Sequence, residues 1–388
     1  MRIGIDARFF GPVGKGLGRY TERLIENLEA LESQHAPHAR GEGRMPLDFV
    51  VFLRKENFDL YQPSSARFRK VLADFPWYSW AEQLFFPPLL RKEGVDLMHF
   101  PHFNVPILTP CPFLVTIHDL ILFRYPTKRA TTLNSVVYRL KYAAYHLTIR
   151  LAARRARRVI AVSEYTKQDI MKSLGVPEDK ITVTYEASDA VRTSGTGNID
   201  LAAKKISKPY FLYVGNAYPH KNLERLLEVF KKLLKEGIEA QLVLVGKMDY
   251  FYNRLKKEAE QLGLLKENDT LFYGYATEDE LAELYRSARV YVFPSLLEGF
   301  GLPPLEAMRY GTPVAAADSS CLPEVLGDAA TYFSPEDPLS MADAMKRAYS
   351  DEALRAALRE RGIDQANRYT WKECAERTYQ AYISSFKP

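Results

Sequence analysis

Short apolar runs of single-strand length alternate with amphipathic helical stretches along the whole of this 388-residue chain. Runs that are apolar throughout belong to strands covered on both faces, so the pattern predicts parallel sheets layered with helices, an α/β chain. In the first half the strand candidates are Arg2–Asp6, Asp48–Leu53, Leu97–Phe100, Phe113–Ile117 and Arg158–Val162. In the second they are Tyr210–Val214, Gln241–Val245, Thr270–Tyr273, Val290–Phe293 and Pro313–Ala316. Between the halves, Ala187–Lys208 is rich in Ser, Thr, Gly and Lys and reads as a linker. The length also calls for two domains. Each half is then a doubly wound unit, with ligands expected at the carboxyl ends of its strands.

Composition narrows the class. With 47% hydrophobic and 26% charged residues the chain is globular. No apolar run reaches the eighteen residues or more of a membrane span, and Met1–Asp6 begins directly as a strand, so no signal peptide is expected. Cys111, Cys321 and Cys374 are too few and too scattered for a disulfide framework or a zinc cluster, which suits a reducing cytoplasm. The net charge of +5 demands no polyanion, and no nucleic-acid-binding motif is present. Arg150, Arg154, Arg155, Arg157 and Arg158 crowd the end of a helical stretch that also carries Tyr138, Leu140, Tyr142, Tyr145 and Leu147. They are either a solvated helix end that complements the dipole or a patch for an anionic membrane surface.

The densest candidate site is Glu298-Gly299-Phe300-Gly301-Leu302-Pro303-Pro304-Leu305-Glu306-Ala307-Met308. It follows the run through Phe293 and enters a helix with proline in its first turn, so a glycine loop joins strand to helix. The N–H groups of Phe300, Gly301 and Leu302 lie where a helix start favours an anion or sugar oxygens. On one helix, Glu298 and Glu306 would stand about 12 Å apart at roughly 1.5 Å per residue. A retaining glycosidase needs its carboxylates about 5 Å apart, so these two suit the hydroxyl pairs of one extended ligand better than a shared bond-breaking step. An ordinary strand-to-helix turn with two solvated glutamates is the alternative.

Other residues gather at strand ends. Gly11–Tyr20 is a glycine-dense loop before a helix that completes neither a Walker A loop nor a dinucleotide fingerprint. His118 ends the Phe113–Ile117 run, where a neutral imidazole could donate to a sugar hydroxyl, or simply be a satisfied buried histidine; His99 and His102 sit comparably. Lys221 opens a helix, a position the dipole disfavours unless a ligand brings negative charge; a solvated lysine is the alternative. Gly246 and the turn Gly274-Tyr275-Ala276 could border a nucleoside base. The aromatics of Trp77-Tyr78-Ser79-Trp80 and Phe85-Phe86 serve equally as exposed acceptor contacts or as core. Trp371 reads as a packing anchor in a final helix running to about Ser384.

Over nearly its whole length the chain resembles family 4 of the retaining, GT-B-fold glycosyltransferases. The resemblance rests on Gly14-Lys15-Gly16-Leu17-Gly18-Arg19-Tyr20, Thr116–Leu120, Val162–Thr166, Val214-Gly215 through Lys221-Asn222, Gly274-Tyr275 and, above all, Glu298–Met308. It implies two Rossmann-like domains facing across a cleft: an acceptor-side domain over 1–190, a nucleotide-sugar domain over 209–370, and a helix over 371–388 crossing back. It also implies catalytic roles for His118, Lys221 and Glu298. His118 would contact the sugar near the reacting carbon, Lys221 would neutralise the diphosphate, and Glu298 would take the sugar hydroxyls. The donor would further be held by Gly16, Asn216, Gly246, Tyr275, Ala276, Phe300, Gly301, Leu302 and Glu306, the last on the ribose. Many members place an arginine near Asn216. This chain has none there, which shifts diphosphate neutralisation to Lys221 and backbone groups, with His220 or Lys15 as helpers. No metal or cofactor is implied, and no Asp-x-Asp motif is present.

The resulting expectation is a cytoplasmic-face enzyme, peripheral on the inner membrane face, that moves mannose from GDP-mannose to a lipid-linked glycan or polysaccharide. A UDP-sugar transferase, a related epimerase or phosphorylase, and a non-catalytic carbohydrate- or membrane-binding protein are the alternatives.

Overall fold

Among the described residues, thirteen strands assemble into two sheets, and every strand pair is parallel. The computed structural model describes residues 1–34, 47–125, 135–189 and 200–386, except the side chains of Val13, Lys15, Gln34 and residues 135–138. It divides into two compact units: Met1–Phe123 with Leu133–Glu186 and Thr370–Pro388, and Ala187–Tyr369.

The first unit holds β1 (Arg2–Asp6), α1 (Lys15–Gln34), β2 (Asp48–Leu53), β3 (Phe68–Leu72), α2 (Trp80–Lys92), β4 (Leu97–Phe100) and β5 (Phe113–Ile117). There follow α3 (Ile121–Arg124), α4 (Ser135–Arg155), β6 (Arg158–Ala161), α5 (Glu164–Leu174) and β7 (Ile181–Val183). The sheet order is β3-β2-β1-β4-β5-β6-β7, which reverses between β1 and β4. Phe52, Phe86, Met98, Phe100, Val115 and Ile117 are central to its core. The final helix of the chain, α13 (Trp371–Phe386), packs in this unit: Tyr382 Oη lies 2.7 Å from His99 Nδ1, and Trp371 stands edge-on to Tyr20.

The second unit runs β8 (Tyr210–Val214), α6 (Leu223–Lys235), β9 (Gln241–Val245), α7 (Tyr250–Gln261), β10 (Thr270–Gly274), α8 (Glu278–Ser287), β11 (Val290–Phe293) and α9 (Leu302–Arg309). It continues with β12 (Val314–Ala317), α10 (Leu322–Leu326), β13 (Ala330–Phe333), α11 (Pro338–Ser350) and α12 (Glu352–Asn367). Its order, β10-β9-β8-β11-β12-β13, reverses between β8 and β11. Helix α6 shows the local logic: Leu223, Leu226, Leu227, Phe230 and Leu233 recur at helical spacing and are all buried.

The ten expected strands are present to within a residue or so at their ends, but three more exist. β3, β7 and β13 are all edge strands. β3, Phe-Arg-Lys-Val-Leu, buries only its first residue fully and so offers no apolar run to read. Two further expectations need correction. Gly16 and Gly18 lie within the first turn of α1 rather than in a loop before it; Gly11 N–H donates to Gly18 O, and a Cβ at Gly18 would stand 2.0 Å from Gly11 O, so this close approach requires glycine. The arginine run is also not one helix end. Arg150, Arg154 and Arg155 are exposed on α4, whereas Arg157 lies beyond it and Arg158 belongs to β6, where it donates to Asp179 O and Thr182 Oγ1. Of the expected linker, residues 190–199 lie outside the described residues, as do the side chains of Tyr138 and Lys15.

Candidate active site

In the second unit the chain leaves β8 into Gly215 and Asn216 and leaves β11 into the loop that carries Glu298, so both exits flank the point where strand order reverses. That is where an open α/β sheet leaves a crevice for a ligand. A short 3-10 turn, Pro219–Lys221, precedes α6, and His220 O accepts the N–H of Leu296, tying this turn to the β11 exit. Lys221 Nζ meets Glu298 Oε1 at 2.5 Å, with both side chains about nine-tenths enclosed. The sequence reading gave these two groups separate ligand duties; the fold makes them partners. Lys221 also rides 5.3 Å over the Phe293 ring. Glu298 N–H donates to Ser320 Oγ at 3.0 Å, and Ser320 adopts φ 55°, a left-handed conformation that a serine takes only where its surroundings enforce it.

The helper role of His220 needs correction. Burial first, and the Lys221 charge second, push its pKa down to about 4, so near neutral pH it brings no charge to a diphosphate. Glu306 sits in α9, buried, and its Oε2 accepts the hydroxyl of the fully buried Tyr285 at 3.1 Å. Gly301 caps α9 at φ 91°, and a Cβ there would also meet Leu322 Cδ2 at 2.8 Å. Phe300 is buried edge-on against Tyr369, and Leu302 begins the helix. Asn216, Gly246, and Tyr275 with Ala276 follow β8, β9 and β10. Gly215 N–H to Val245 O and Gly246 N–H to Gly274 O, each 3.0 Å, stitch these exits into one row. Tyr275 is 84% exposed at the end of that row.

His118 and Gly16 belong to the first unit. His118 Nδ1 lies 2.7 Å from Glu186 Oε1 and Nε2 lies 2.9 Å from the Pro101 carbonyl oxygen. Both partners are acceptors, an arrangement that favours the doubly protonated ring. Burial pulls its pKa down, but the hydrogen bond and charge of Glu186, with Pro101 O and Asp119, outweigh burial and leave it raised. The sequence suggested a neutral donor here; the surroundings of the ring favour its charged form instead. The edge of Tyr20 meets the same ring, with centroids 4.7 Å apart.

His118 lines a cavity of about 630 Å³ with Asp119, Tyr78, His102, Phe103 and Tyr145, among others. His102 is neutral, its pKa pushed down to about 3 by burial and then by His118, and its Nδ1 accepts the Asn104 N–H. Tyr78 adopts φ 57°, and its N–H is fixed by the buried Glu82, which also takes Arg8 at 2.6 Å and Asn104 at 2.7 Å. The aromatic candidates divide: Tyr78, Trp80 and Phe85 are exposed, Phe86 is core, and Trp77 stacks on Phe9. His99 is structural, buried between Tyr382 and Thr116. A Cβ at Gly16 would meet nothing within 4 Å, so packing does not demand glycine there.

Sequence reasoning missed Glu186, Ser320 and Tyr285. Glu186 follows the unread edge strand β7, and a tyrosine on an amphipathic helix carries no signal that distinguishes it from core.

Two family models match the chain, "Glycosyltransferase Family 4" over residues 14–192 and "Glycosyl transferases group 1" over residues 200–365. The chain is 29% identical to O-antigen chain mannosyltransferase B of Escherichia coli across 95% of both chains. It is 30% identical to an O-antigen chain mannosyltransferase of Salmonella typhimurium over 70% of this chain and 69% of that one. Among solved structures it is similar to a sucrose-phosphate synthase from Thermosynechococcus elongatus, with a TM-score of 0.75 and 20% identity, covering 100% of this chain and 99% of the other.

Proposed function

Because the chain belongs to the group 1, family 4 glycosyltransferases, we propose that it moves mannose from GDP-mannose, with retention of anomeric configuration, onto a lipid-linked glycan or polysaccharide of the O-antigen class. The observation that carries the donor half of this reading is the Lys221–Glu298 pair at the reversal point of the second sheet. The choice of mannose draws support from the Escherichia coli relative that aligns along nearly the whole chain.

Transfer breaks the bond between the anomeric carbon and the diphosphate oxygen, leaving positive charge on the sugar ring and negative charge on the departing nucleotide. Lys221 and the N–H groups opening α9 would stabilise the departing charge. As Lys221 turns to the phosphates, Glu298 would take the sugar hydroxyls, so the ion pair is exchanged for two ligand contacts rather than lost. Glu306, fixed by Tyr285, would hold the ribose hydroxyls. An acceptor hydroxyl would attack the face the leaving group vacates and pass its proton to a phosphate oxygen. His118 suits this scheme because, with both nitrogens already donating, it is a poor base and a favourable neighbour for an anionic group.

A thermal-shift screen against GDP, UDP, ADP and dTDP sugars should raise the melting temperature most with GDP-mannose. A clear shift with a UDP-sugar and none with GDP-mannose would replace the donor. Release of a free sugar phosphate or an epimer from radiolabelled donor would point to a phosphorylase or an epimerase instead.

A further inference from the structure

Tyr213 on β8, Tyr252 on α7 and Tyr291 on β11 are fully buried in the second unit. A phenol in a core must find an acceptor for its hydroxyl, whereas phenylalanine fills similar space without one, as Phe211 and Phe293 do on the same two strands. The three hydroxyls converge on three successive carbonyls where β8 ends. Tyr291 Oη donates to Val214 O at 3.3 Å, Tyr252 Oη to Gly215 O at 2.9 Å and Tyr213 Oη to Asn216 O at 2.7 Å. Glycine makes room for them: a Cβ at Gly215 would stand 2.7 Å from Tyr213 Oη, and one at Gly246 would stand 2.6 Å from Tyr252 Oη.

The cluster underlies the candidate pair. Phe293, the ring beneath Lys221, stacks on Tyr213 and Tyr291 with centroids 6.3 and 6.1 Å away. Across a planar trans peptide, the carbonyl of one residue and the N–H of the next point in opposite directions. Drawing Gly215 O and Asn216 O inward therefore turns the N–H groups of Asn216 and Ala217 outward, at the exit where strand order reverses. Neither N–H meets an acceptor among the described residues, whereas Gly215 N–H is already given to Val245 O. The same bonds withdraw three carbonyl oxygens whose negative ends would repel an anion. From Val214 to His220 the chain has no lysine or arginine, so main-chain dipoles are what this exit can offer a negative ligand.

We propose that Tyr213, Tyr252 and Tyr291 are positioning residues of the donor site: their hydroxyls lock the end of β8 so that the Asn216 and Ala217 N–H groups are presented, already oriented, to the diphosphate of a nucleotide. The proposal rests on the donor reading of the second unit but not on the choice of base or sugar. Preorientation is the point of the arrangement, because dipoles fixed before the ligand arrives need no reorganisation when it binds or when charge develops on it. Tyr210 supplies the contrast. It stands at the opposite end of β8, is equally part of the core, and gives its hydroxyl to Leu284 O at 2.7 Å, the same kind of bond with no crevice beside it.

The test is isothermal titration calorimetry of the full chain with GDP, UDP, ADP and dTDP, beside melting temperatures. Tyr213→Phe and Tyr252→Phe should each raise the Kd of every diphosphate that the parent protein binds by about fivefold, the worth of one hydrogen bond, and Tyr291→Phe, whose bond is the longest, by less. Tyr210→Phe should lower the melting temperature comparably and leave every Kd unchanged, which a purely structural role for the other three would not allow. Each substitution deletes one oxygen and is read singly, so a variant that does not fold leaves the others to decide. Folded exit variants that bind like the parent, or an equal loss in Tyr210→Phe, overturn this proposal alone. Failure of the parent to bind any of the four overturns the donor reading with it.

Discussion

Two enclosed cation-carboxylate pairs near the carboxyl ends of strands invite comparison, Lys221 with Glu298 in the second unit and His118 with Glu186 in the first. The lysine is a permanent point charge on a flexible stem that can swing to a ligand and return. The histidine's charged form is favoured by its partner, and both of its nitrogens already face acceptors. The pairs therefore differ in kind: one is an exchangeable contact, the other a fixed local field.

The comparison breaks most readily at Lys221. Lys221→Ala should lower kcat/KM about 100- to 1000-fold while the protein remains folded, the range for removing a main stabiliser of leaving-group charge. A loss of less than about threefold in steady-state kinetics would remove Lys221 from the site.

At the other pair, Glu186→Gln should act first on stability. A raised folded pKa contributes stability that is complete below the unfolded value and fades as pH rises through the folded one. The deficit of the variant should thus be largest on the acid side, about 1.5–3 kcal/mol as for a hydrogen bond to a charged group, and should shrink in alkaline buffer. Urea unfolding across that range reads the trend directly. A deficit that grows with pH would mean that His118 is not held charged.

Tyr285→Phe removes a hydroxyl that donates to Glu306 and should raise donor KM about tenfold with little change in kcat, as for one lost polar contact in donor binding. An equal fall in kcat would place Glu306 in the chemical step. The mildest change, Gly16→Ala, should raise stability by about 0.5–1 kcal/mol, because the position is helical and open. If Gly16 borders the donor phosphates, turnover should fall in the same variant. Unchanged turnover would assign that glycine no ligand.

The central strands were legible because parallel strands buried on both faces leave unbroken apolar runs. Edge strands such as β3 leave no such run, and their pairing depends on a neighbour that the segment itself does not specify. Glu298 and Lys221 were each legible from chain position, as residues beside a helix start. Their pairing was not, since they are 77 residues apart and meet only because β8 and β11 become neighbours. Glu186 stayed hidden for a related reason: only the folded sheet reveals that the end of β7 reaches the histidine at the end of β5. The arginine run showed the reverse error, in which residues adjacent in sequence were divided by the change from helix to strand at Arg158.

The seating of α13 in the first unit has a consequence for synthesis. Buried Tyr379, Ala381 and Tyr382, and the hydroxyl that answers His99, come from residues made only after those of the second unit. The unit made first therefore cannot close its core until the unit made second has been completed, which reverses the usual order in which a nascent chain folds from its beginning.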